Sequence, residues 1–217
     1  MVAAACLALV AGCSSRTSTE DPAAPSSKPD TSAFEPSEDN QDPSKAIEGV
    51  VVTEYQPSHA LDGQRVAYDK APPYGGKHDA TWADCSGTVY VKPVRNENMV
   101  HALEHGAVWI AYDPATVRAS TLETLAAKVD GQPYLMLSPY PNLDAPVSLQ
   151  SWGHQLKVLD PADPRIDQFI TALRDNRYTT PEPGAPCGTN PDGFDVANPP
   201  PFDSSAPGPD AAPVEGP

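Results

Sequence analysis

Two long stretches of this chain lack the apolar residues needed to build a core, and they bracket everything else. Residues 14–45 are rich in Ser, Pro, Asp, Glu and Thr, and residues 188–217 in Pro, Asp, Gly and Ala. Segments of that composition bury too little surface to offset chain entropy, so both are expected to be disordered, the first as a tether and the second as a tail. Folding is thereby confined to residues 46–187, enough for a single domain. The arms also hold much of the charge. The tether has seven acids against three bases and the tail five acids and no base, which leaves −6 of the net −15 on residues 46–187. The acidity belongs to solvated spacers, and the lack of a basic patch excludes nucleic acid as a partner.

The start of the chain points to export. Residues 2–12 are uniformly apolar or small and stop at Cys13. That run has the length of a signal-peptide core and is too short to span a bilayer as a helix, so residues 1–12 are expected to be a signal peptide. Val10-Ala11-Gly12-Cys13 resembles the bacterial lipobox, which would lipidate Cys13 and hold the protein to the outer face of the cell membrane. No Lys or Arg precedes the run, as a start further upstream would explain. Cys6 would leave with the signal peptide, so Cys85 and Cys187 remain as an even pair in an oxidising compartment, where a disulfide persists. Closing a loop of roughly a hundred residues is worth about 4 kcal/mol in the chain-entropy model. The competing role for Cys85, a thiolate copper ligand, needs a His and a Met shortly after it, and neither is there.

Within residues 46–187 the pattern alternates between strand and helix. Residues 50–55 and 64–68 read as strands, 71–88 as a long ordered loop with Pro72-Pro73 and Gly75-Gly76, and 107–112 as an almost continuous apolar run suited to a strand covered on both faces. A helix over 96–105 would be capped by Asn96 and stopped by Gly106. Asp113-Pro114 and Asp163-Pro164 each read as the opening of a helix, the second carrying Ile166, Phe169, Ile170 and Leu173 at helical spacing. Residues 134–137, 147–150 and 155–159 complete the strands, the last two paired around Trp152-Gly153. The expectation is an α+β single domain, a mixed sheet with about three helices packed mainly on one face.

Five histidines carry the chemistry. His101 and His105 stand at i and i+4, which puts two imidazoles on one helical face, a common way to hold Cu or Zn. His78, swung by the Gly75-Gly76 turn, is the third candidate ligand. His59 and Met99 are further candidates, His59 also as a partner that orients a ligand, and Met99 as a soft axial copper donor against its commoner role of core filling. His154 reads as an ordinary surface or half-buried residue. Glu104 completes His101-x-x-Glu104-His105, the inverted zincin pattern, in which it would activate water for hydrolysis with Glu182 as the distant third ligand. The helix stop at Gly106 weighs against that, and a quieter Glu104 would orient His101 or pair with Lys77 or Arg95.

His59 before Val66-Ala67-Tyr68, the run from Pro72 to His78, Val100-His101-Ala102-Leu103-Glu104-His105-Gly106, Ser138-Pro139-Tyr140-Pro141, Trp152-Gly153 and the ending at Pro186-Cys187 together resemble a bacterial family catalogued as domain of unknown function 3105. The usual Thr-Ser-Gly before His78 is replaced here by Tyr74-Gly75-Gly76. The resemblance implies the domain's boundaries and its important residues, and no activity. The functional expectation is therefore an extracytoplasmic lipoprotein with a histidine-based metal site, copper favoured over zinc. The alternatives are a zinc-dependent hydrolase, or a structural or interaction module of the cell envelope in which the His-Glu cluster only orders residues 71–88.

Overall fold

The computed structural model describes residues 1–2, 29–189 and 193–214. Residues 3–12 of the expected signal peptide, Cys13 of the expected lipobox and residues 14–28 of the expected tether lie outside the described residues. No helix among those described is long and apolar enough to cross a membrane.

A six-stranded mixed sheet organises the domain. Its strands run in the order β1 (Val51–Val52), β9 (His154–Val158), β8 (Val147–Ser151), β6 (Val108–Tyr112), β7 (Leu135–Pro139) and β5 (Ser86–Val89). The β5, β6 and β7 strands are parallel neighbours, while β8, β9 and β1 add antiparallel edges. The fold is α+β, as expected. All five residues of β6 are buried, and the period of two sorts them between faces. Val108, Ile110 and Tyr112 join one apolar cluster, and Trp109 and Ala111 the other.

Two helices cover the first face. The apolar stripe of α3 (Arg165–Leu173) supplies Ile166, Phe169 and Leu173, and α2 (Ala119–Val129) supplies Leu125 and Val129. The third helix, α1 (Asn96–Glu104), lies on the opposite face with Met99, Val100, Ala102 and Leu103 against Trp109 and Met136. Residues 97–104 of α1 are buried all round, so its polar face must find partners inside the protein. Those partners are the histidines and carboxylates described below.

Several local expectations shift. Asn96 is the first helical residue; Arg95 occupies the cap position without a side-chain cap. Asp113 closes a turn instead of opening a helix: its Oδ1 accepts from Ala115 N at 3.0 Å, and α2 starts only at Ala119. The stretch 71–88 holds β4 (Lys77–His78) and the start of β5. β4 pairs in parallel with β2 (Ser58–His59), His59 opposite His78. Cys85 and Cys187 are joined by a disulfide, as expected.

The described parts of both arms pack on the domain, against the expectation of a disordered tether and tail. Single-turn 3-10 segments at Ser32–Phe34 and Pro43–Ala46 bring Phe34 against the α3 cluster, and Asp42 Oδ2 lies 3.1 Å from His154 Nε2. In the tail, Phe194 is buried near Tyr90, Phe202 lies on Tyr140, and β10 (Ala212–Pro213) pairs with β3 (Val66–Ala67). Few apolar residues suffice when each one finds a ready-made surface, and mean composition is blind to that.

Candidate metal centre

Four side chains converge where α1, β2 and β4 meet. His59, His78, His101 and Glu104 each offer one ligand atom, and these atoms all lie within 4.8 Å of one another. A tetrahedral ion with bonds of about 2.0 Å holds its donors about 3.3 Å apart, so closure requires only small side-chain movement. Two of the four, His101 and Glu104, come from one face of α1 at i and i+3. The other two come from the β2–β4 pairing, with ring centroids of His59 and His78 5.1 Å apart. The His78 and His101 centroids are 4.8 Å apart.

Backbone carbonyls decide which nitrogen faces inward. His78 Nδ1 lies 2.8 Å from Gly76 O, and His101 Nδ1 lies 2.6 Å from Asp79 O. A carbonyl only accepts, so each Nδ1 carries its proton and donates it, and in the neutral ring the Nε2 lone pair is left bare. Such outer hydrogen bonds are what orient metal-binding imidazoles. Gly76 adopts φ +88°, a conformation open to glycine that turns its carbonyl toward the ring. Asp79 is fixed in turn by Arg95 Nη1 on Oδ2, while Arg95 Nε also reaches Glu97 at 3.2 Å.

One inward atom, His78 Nε2, is packed without a hydrogen bond. His78 Nε2 is fully buried and 2.8 Å from Glu104 Oε2, yet the contact lacks hydrogen-bond geometry and Nε2 has no other partner. His101 Nε2 stands 3.8 Å from the same oxygen. His154 makes the contrast: its Nε2 meets Asp42 Oδ2 at 3.1 Å in good alignment. Two lone-pair donors held face to face out of line repel each other unless a cation sits between them.

The electrostatics agree. Burial, joined by the charge of His78, pushes the His101 pKa down to about 4, so the ring is neutral and able to ligate at physiological pH. Burial works against the Glu104 carboxylate, but close contact with His78 and the charges of His78, His101 and His59 outweigh it and lower its pKa. The centre therefore presents a neutral His101 ring beside an ionised Glu104 carboxylate.

Several expectations need correction. His105 stands outside the four-donor group: its ring centroid is 4.7 Å from that of His101, but Nδ1 is tied to Pro186 O at 2.8 Å and Nε2 lies 3.5 Å from Glu182 Oε2. The i, i+4 rule puts two rings on one face and says nothing about what their nitrogens bond. Met99 is fully buried in the apolar cluster and fills core. His59 belongs to the group. Glu104 joins it as a fourth donor, where sequence spacing suggested a water activator or an orienting residue. The donor group is not the inverted zincin set: His105, though its ring adjoins that of His101, turns its nitrogens to Pro186 O and Glu182, and Glu104 stands among the donors instead of behind them. His154 is buried on Asp42. Trp82 and Trp152, which sequence reading did not tie to the site, pack on it, Trp82 at 5.5 Å from the His101 ring and Trp152 at 5.8 Å from His78.

No curated protein and no solved structure matches this chain. A family model does match residues 59–189, a span that begins at His59 and takes in all four clustered donors and the disulfide pair Cys85 and Cys187. The chain belongs to the family described as Protein of unknown function (DUF3105).

Proposed function

We propose that this is an extracytoplasmic lipoprotein, held to the outer face of the membrane through Cys13, whose domain binds one metal ion with His59, His78, His101 and Glu104, copper being the ion. One observation carries the reading: the buried contact between His78 Nε2 and Glu104 Oε2, 2.8 Å long and without hydrogen-bond geometry, beside a second imidazole locked in the same tautomer. Imidazole and carboxylate donors suit both Zn(II) and Cu(II), and the general affinity order of such sites favours Cu(II). The disulfide and the lipobox support an export compartment, where copper is available and thiols are oxidised.

Elemental analysis of the full chain, purified without a histidine tag and loaded with Cu(II) or Zn(II), tests this. The expected result is one ion per chain, Cu(II) held more tightly, with affinity lowered at least a hundredfold by His78→Ala or His101→Ala and little changed by His105→Ala. Sub-stoichiometric metal in the unmutated chain removes the proposal. For the anchor, Cys13→Ser should move the protein from the membrane fraction to the soluble one; an unchanged distribution argues against lipid on Cys13.

A further inference from the structure

The four ligands are not equivalent. His78, His101 and Glu104 are all buried, and each of the two rings is clamped by a backbone carbonyl through Nδ1. Glu104 is fixed at the end of α1, where its carbonyl accepts from Glu182 N at 3.2 Å. His59 differs on every count. It is exposed, and its ring nitrogens make no hydrogen bond to any described residue. Its strand is only two residues long and held through the β2–β4 pairing and the Ala60 N–H on His78 O at 2.7 Å. Its ring sits 5.3 Å from His101 and 5.1 Å from His78 on the open side of the cluster. Three donors are preorganised and buried, and the fourth is an exposed ring held only by packing on His78 and His101 at the solvent edge.

Resting on the metal reading above, we infer that His59 is the exchangeable ligand of the centre and that its position is a binding site for an incoming imidazole. The exchange breaks the bond from the ion to the His59 nitrogen and forms one to the nitrogen of the newcomer. One neutral donor replaces another, so the charge and oxidation state of the ion are unchanged and no co-reactant is required. A preorganised three-ligand base keeps its ion while the fourth position turns over, because fixing the exposed His59 side chain offsets part of what its bond contributes. The ion is then a cargo or a docking point reached from one edge, with a metal-bound imidazole as the chemistry of handover.

The test uses the full chain loaded with Cu(II), followed by electron paramagnetic resonance and by competition with a chelator. His59→Ala should retain one Cu(II) per chain with affinity reduced no more than about tenfold to a hundredfold, in the range that orienting partners of metal ligands command. Millimolar imidazole should then restore the unmutated spectrum. His101→Ala should lose the ion, and imidazole should not restore it, because that position is sealed. Circular dichroism on each variant separates loss of the site from loss of the fold. The inference is overturned if His59→Ala loses copper as fully as His101→Ala while still folded. It is also overturned if imidazole leaves the His59→Ala spectrum unchanged. An unmutated chain that takes up no copper removes the metal reading itself, a different result from copper bound without exchange.

Discussion

His101 is the residue on which most of the site's physics turns. Its ring is buried, donates Nδ1–H to Asp79 O and sits between two other imidazoles. With its pKa lowered from 6.5 to about 4, the folded chain refuses a proton that the unfolded chain accepts. Between those values the unfolded state binds more protons, so stability of the metal-free protein rises with pH through the window and is lost as pH falls from 6.5 toward 4. At about 1.4 kcal/mol per unit the effect is on the order of 3 kcal/mol at most. Glu104, also lowered, adds a loss below its ordinary value of 4.5. Melting temperatures of the metal-free chain measured from pH 4 to pH 7 should show this slope, and His101→Asn should flatten its upper part. A slope unaltered by that substitution would assign the acid sensitivity elsewhere.

At the level of elements, α1 is a short helix whose end must be placed accurately, because Glu104 is its last residue. Gly106 stops it with φ +98°, and a Cβ there would meet Thr180 Oγ1 at 3.1 Å. Gly106→Ala should therefore cost about 1–2 kcal/mol from the left-handed backbone alone, more if Thr180 cannot yield. Urea denaturation of the metal-free protein measures it; a loss within a few tenths of a kcal/mol would mean the turn relaxes freely. This stop was legible in the sequence, as were the stripe of α3 and the two-sided burial of β6, since each is a local pattern of hydrophobicity or a glycine at a boundary. The start of α2 was not, because Asp113 satisfies a turn as readily as a helix cap. The β2–β4 pair was also hidden: two residues per strand leave no period to read, and their partner lies across the fold. That is why His59 and His78 could be named as candidates while their direct opposition could not be seen, and why His105, with the better spacing, was overrated.

Taken whole, the molecule is larger than its family span. Residues 59–189 match the family, yet residues 31–47 and 193–214 contribute buried side chains on either side of it. Phe194 and Ala212 are buried, and Arg65 holds the tail through Asp203 at 3.1 Å. Ending the chain at residue 189 should lower stability by about 2–4 kcal/mol, as expected for losing one buried aromatic and its neighbours. Thermal melts of the shortened and full chains, both with the disulfide intact, compare them directly, and equal melting temperatures would show that the tail adds nothing. The β2–β4 pairing has its own consequence. Side chains alternate along a strand, so a slip of one residue would send His59 to the far side of the ribbon. The main chain thus acts as a gauge, and the gap between those two rings is measured out in peptide units before any rotamer is chosen.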